Sequence, residues 1–163
     1  MASPDEESTR AGPYLLCYDG SPEAALAIET VGRIAGGGEA LALNAWSPPS
    51  AFFLGGRVID EAESPLAPAA AEFDAAAAED AERIAAEGAE LARRAGFDAT
   101  PLTERTKGAV WHAIVRIAEE RQARLVVVGS QGMSTLQRAV LGSSALSIVS
   151  HCERPVLVVP APA

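Results

Sequence analysis

The sequence predicts an α/β fold in which five parallel strands form one doubly wound sheet with helices on both faces. Three observations carry that prediction. Short, almost continuously apolar runs such as Tyr14-Leu-Leu-Cys-Tyr18 and Leu125-Val-Val-Val128 alternate with longer segments of helical period. The alternation runs strand, helix, strand, helix through five strands, which calls for parallel pairing and right-handed crossovers. Glycines then follow the fourth strand, where such a sheet holds ligands beyond its carboxyl edge. With 163 residues and no shift in composition, the chain reads as a polar tail over 1–12 and one domain over 13–163.

Each element has its own local reason. Tyr14 to Tyr18 is the first strand, stopped by Asp19-Gly20. Ser21-Pro22-Glu23 opens a helix, with Ser as N-cap, Pro at the first helical position and an acid in the first turn. Ala24, Ala27, Ile28, Val31 and Ile34 share one face of it, and Gly36-Gly37-Gly38 ends it. Glu39 to Trp46 is the second strand, closed by Pro48-Pro49. Ser47 to Pro68, rich in Pro and Gly, reads as a long loop of the kind that serves as a lid.

A long Ala-rich helix from about Ala69 to Ala95 follows, with Phe73, Ala77, Ile84, Leu91 and Ala95 expected inward and Gly96 just past its end. Phe97 to Arg105 is a weak third strand, and Pro101 inside it lacks a backbone donor, so it belongs at a sheet edge. Gly108 to Glu120 is the third helix, with Val110, Ile114 and Ile117 inward. Leu125 to Val128 is the fourth strand, Gly142 to Ser150 the fourth helix, and Pro155-Val-Leu-Val-Val159 the fifth strand.

The functional signal lies between the fourth strand and the fourth helix. Gly129-Ser130-Gln131-Gly132 follows the strand directly, and after nine intervening residues come Gly142-Ser143-Ser144. Glycines there let bare N–H groups curl toward an anion, and a helix N-terminus offers further unpaired N–H groups to the same charge. A blander reading makes the glycines tight turns only. Three glycines and a hydroxyl in register with a buried strand favour a nucleotide phosphate site. If the first and fourth strands are neighbours, Asp19 faces the same crevice.

Composition excludes other classes. The 22 acidic against 13 basic residues give a net charge of −9, which repels nucleic acid and anionic membrane. A phosphate ligand is therefore held by local dipoles. Cys17 and Cys152 match no metal or redox spacing, and His112 and His151 have no partner ligands at zinc spacing. No segment approaches a membrane span and the first residues carry no apolar signal region, so a cytoplasmic location is expected.

From about Tyr14 to Pro160 the sequence resembles the universal stress protein family. The residues that carry the resemblance are Tyr18-Asp19-Gly20-Ser21, the Gly129-x2-Gly132-x9-Gly142-Ser143 motif, and Arg154-Pro155-Val-Leu-Val-Val159. The long glycine motif marks the family's ATP-binding branch. The resemblance implies a Rossmann-like sheet of order 3-2-1-4-5. It also implies an ATP site with magnesium or manganese: Asp19 near ribose and phosphates, Ala45 with its backbone toward adenine, Val128 and Gly129 bordering the ribose and adenine, and Gly132, Met133, Gly142, Ser143 and Ser144 around the phosphates, with Tyr18 and Ser130 also in the site. Asp19 could reach the nucleotide-bound metal. Arg124 stands where the family often has an acid, and Tyr18 is bulkier than many counterparts.

A regulatory ATP-binding protein without classical enzyme activity follows, since no Walker lysine pair and no obvious base accompany the glycines. Weak hydrolysis is compatible with it. An adenylyl-transferring enzyme would carry an HxGH or SGGxDS signature, which is absent, and an interaction module with a vestigial pocket would have broken glycines, which are whole. A homodimer joined through the fifth strand and an unidentified regulatory protein partner complete the expectation.

Overall fold

The computed structural model describes residues 12–50, 67–130 and 142–160. The strands are β1 (Tyr14–Cys17), β2 (Gly38–Trp46), β3 (Phe97–Arg105), β4 (Leu125–Gly129) and β5 (Val156–Val159), with helices α1 (Pro22–Ala35), α2 (Ala67–Arg94), α3 (Val110–Glu120) and α4 (Ser143–His151) between them. All pairings are parallel and the order is β3-β2-β1-β4-β5, as the sequence implied. The tail over 1–11 and most of the expected lid loop, 51–66, lie outside the described residues.

The pleat divides the core in two. Leu16, Ala40, Ala42, Phe97, Ala99 and Val127 point to one face, where Ala27, Ile28 and Val31 of α1 and Ala89 and Ala92 of α2 meet them. Leu15, Leu43, Val126 and Val128 point to the other, covered by Ile114, Ile117 and Ala118 of α3 and Ala145 and Ile148 of α4. Successive strand residues thus serve opposite layers, which is why the central strands read as continuous apolar runs.

Local chemistry sets the boundaries. The Ala24 N–H donates to Ser21 Oγ at 3.2 Å, capping α1, and Gly36 ends that helix in the left-handed region at φ 71°. The expected inward face of α2 is corrected. Its buried positions are Ala81, Ala85, Gly88, Ala89 and Ala92, whereas Ile84 and Leu91 are half-buried and Phe73 is 58% exposed. The sheet supplies the bulk at this contact: a Cβ on Gly88 would come within 2.8 Å of the Tyr18 ring. Small residues let the helix settle onto Tyr18 and Phe97, and the larger ones flank the seam.

Candidate functional site

In the observed order the chain winds one way from β1 to β2 and β3 and the other way to β4 and β5, so the switch point lies between β1 and β4. A cleft of about 480 Å³ opens there, within the range that holds a small ligand. Of the eleven site residues expected from sequence, nine line it: Tyr18, Asp19, Ala45, Val128, Gly129, Ser130, Gly142, Ser143 and Ser144. Gly132 and Met133 lie outside the described residues.

One end of the cleft is built by β4 and α4. The Gly142 N–H donates to the Ser130 carbonyl at 2.7 Å and the Ser130 N–H to the Val159 carbonyl at 2.8 Å, so the two ends of the glycine segment are tied together beside β5. Gly142 is the N-cap of α4 and, lacking a side chain, makes no cap hydrogen bond to it. Its first turn therefore directs N–H groups and the positive end of the helix dipole at the cleft. Across from it, Asp19 Oδ1 accepts from the Ser21 N–H at 3.0 Å, which fixes the acid at the turn into α1.

At the other end β2 outruns β1. The last β1–β2 pair is Cys17↔Leu43, and the Tyr18 N–H donates to the Leu43 carbonyl at 2.9 Å, while β2 continues to Trp46. Backbone groups alternate sides along a strand. Leu43 serves β1 and the Trp46 carbonyl accepts from Thr106 beyond β3 at 2.9 Å, so Ala45 turns its N–H and C=O toward the side that β1 has vacated. Among the described residues no strand covers that peptide edge, and Ala45 lines the cleft.

Sequence reasoning missed Asn44. It is buried, and its Nδ2 donates to the Tyr18 carbonyl at 2.9 Å, pinning the point where β1 leaves the sheet. A single amide in the apolar run Glu39 to Trp46 was the available signal. Trp46, Ser47, Val110, Ile114 and, from α2, Ala77, Asp80, Ala81 and Ile84 complete much of the wall.

The electrostatics suit a neutral or metal-complexed ligand. Asp19 and Asp80 line the cleft and no Lys, Arg or His does so among the described residues. Asp80 is ion-paired with Arg83 at 3.1 Å. Burial pushes the Cys17 thiol up to about 12, with the Asp19 charge and Cys152 adding to it, which favours the protonated thiol. Burial also pushes the Tyr18 phenol up to about 12, helped by its hydrogen bond to Glu87 Oε1 at 2.7 Å.

The family model of universal stress proteins matches residues 13–160, nearly the whole described chain. The chain belongs to the universal stress protein family. A 60-residue stretch of it is 40% identical to universal stress protein MJ0531 of Methanocaldococcus jannaschii, a match over 37% of this chain and 35% of that relative's length. The hypothetical protein MJ0577 superposes with a TM-score of 0.73 at 20% identity, over 93% of this chain and 97% of its own. Two further universal stress protein structures have TM-scores of 0.59. One is in complex with cAMP (24% identical, 91% and 96% covered), and the other is from Archaeoglobus fulgidus in complex with dAMP (18% identical, 90% and 96% covered). These likenesses establish that this universal stress protein shares their fold.

Proposed function

We propose that this universal stress protein is a regulatory protein that binds ATP, with magnesium or manganese, at the carboxyl edge of β1 and β4. The observation that carries the reading is that the N-terminus of α4, the end of β4 and Asp19 open on one cleft together with the Ala45 peptide edge, which no strand covers among the described residues. An N–H donor beside a C=O acceptor matches the edge of a purine base, and a helix N-terminus suits phosphate. The cAMP and dAMP complexes of fold relatives support an adenine nucleotide as the ligand class.

In this reading Ala45 takes the base, Tyr18, Val128, Gly129 and Ser130 border the ribose, and Gly132, Met133, Gly142, Ser143 and Ser144 surround the phosphates. Asp19 faces the ribose and the nucleotide-bound metal. A divalent ion is required because Asp19 and Asp80 oppose a tetra-anion and each helix-terminus contribution is only ~0.3–2 kcal/mol. The chemistry supports binding and signalling in the cytoplasm, through a partner protein, better than turnover. Slow hydrolysis is compatible with the site.

Mass spectrometry of small molecules released from freshly purified, denatured protein tests the reading. An adenine nucleotide in stoichiometric amount is the expected result. Protein that releases none, and takes up none when incubated with ATP and magnesium, would leave a nucleotide-independent interaction module.

A further inference from the structure

Trp46 closes β2 beside the Ala45 peptide edge, and it is one of the residues lining the cleft. The Arg105 guanidinium lies over the indole, 5.9 Å from the ring centroid, within the range of a cation–π contact. Trp46 and Arg105 are direct partners in the β2–β3 register. Arg105 is held in turn, since its Nη2 donates to Asp74 Oδ2 at 3.0 Å. Ser50 grips the same carboxylate, its N–H donating to Oδ1 at 3.1 Å and its hydroxyl to Oδ2 at 2.7 Å. A chain of contacts from Ser50 through Asp74 and Arg105 thus ends on the indole of Trp46, a residue of the cleft wall, and the α2 residues lining that cleft include the small Ala77 and Ala81.

We infer that Trp46 is the platform on which the nucleotide base stacks, and that Arg105 and Asp74 are positioning residues that hold its indole; the inference rests on the nucleotide-binding reading above. Aromatic faces bind any base, and a purine overlaps an indole more than a pyrimidine does. A cation on the ring and a fixed rotamer reduce the ordering that stacking would otherwise require. Trp46 therefore sets base preference, while the phosphate end sets the requirement for metal. A packing residue that only joined β2 to β3 would leave base preference untouched.

The test uses the full chain with Trp111→Phe, so that Trp46 is the sole tryptophan. Calorimetry with ATP and magnesium comes first, followed by Trp46 emission during the same titration. Saturable heat accompanied by quenching of Trp46 emission at the same midpoint is expected. Heat with unchanged emission overturns the stack and leaves the nucleotide reading standing, whereas absence of heat overturns both.

Two variants separate stacking from packing. Trp46→Ala should weaken ATP about tenfold and erase the preference for ATP over UTP, and Trp46→Phe should keep most of both. Affinity for magnesium tripolyphosphate, which has no base, should be unchanged in each. Arg105→Gln should lower the emission anisotropy of Trp46 in the free protein and weaken ATP less than Trp46→Ala. Equal losses for ATP, UTP and tripolyphosphate would refute base stacking.

Discussion

A methyl group on Gly129 would be tight: its Cβ would lie 3.0 Å from the Glu23 carbonyl carbon and 3.2 Å from the Ala24 nitrogen, so the α1 turn would have to give way slightly to admit it. The first of the motif glycines thus lets β4 pass under the N-terminus of α1, a packing role that precedes any ligand. Gly129→Ala should destabilise the fold by ~1–3 kcal/mol, read as a lower urea midpoint at unchanged slope; an unmoved midpoint would show that the α1 turn yields freely. At Tyr18 the prediction concerns pH. The folded phenol, at about 12 against an ordinary 10.0, holds its proton more tightly than the unfolded one. Its contribution to stability is complete below pH 10 and is lost as pH rises toward 12. Denaturation midpoints should fall over that window, and Tyr18→Phe should flatten the fall and cost ~0.5–1.5 kcal/mol at neutral pH for the lost bond to Glu87. Parallel pH curves for the two proteins would remove Tyr18 from the effect. The spacing of the motif glycines was legible in the sequence because spacing is local. The reasons for Gly129 and for Asn44 were not, because each depends on a segment distant in the chain: α1 for one, the exit of β1 for the other.

Among the elements, α1 shows how far local signals reach. Its cap, first-turn proline and left-handed end were all readable, and Ser21→Ala should cost ~1 kcal/mol by removing the acceptor for the Ala24 N–H, measured as a fall in thermal midpoint that Ser21→Asp restores. The buried face of α2 was not readable. With alanine on every side, helical periodicity carries little contrast, and the seam is decided by the bulk of Tyr18 and Phe97 opposite it. The two edge strands differ in a way that bears on assembly. β3 is blunted, since Pro101 offers no donor and the Ala99 carbonyl already accepts from Arg93 Nε at 3.1 Å. β5 is short, β-branched and paired only with β4 among the described residues. The homodimer expected from the sequence would therefore join β5 to β5 about a two-fold axis. Light scattering on the eluting protein at tens of micromolar should give twice the chain mass, and Val158→Pro should halve it without unfolding; a mass of one chain for the unaltered protein would refute the dimer.

For the whole molecule, the order β3-β2-β1-β4-β5 is what makes the site, because it sets the ends of β1 and β4 side by side and lets β2 outrun them. That order followed from the family resemblance and from Pro101, and the cleft follows from the order. No helix among the described residues is long and apolar enough to cross a membrane. The net charge of −9 leaves the global field opposed to a polyphosphate, so in the proposed ATP complex local dipoles and a divalent ion must outweigh that field. Titration calorimetry with ATP, in magnesium and again in excess chelator, measures this balance directly at protein concentrations well above micromolar. The expected result is one nucleotide per chain with micromolar affinity, about −8.2 kcal/mol, that weakens sharply when the metal is removed. No heat in the presence of magnesium, or an affinity indifferent to the chelator, would contradict it.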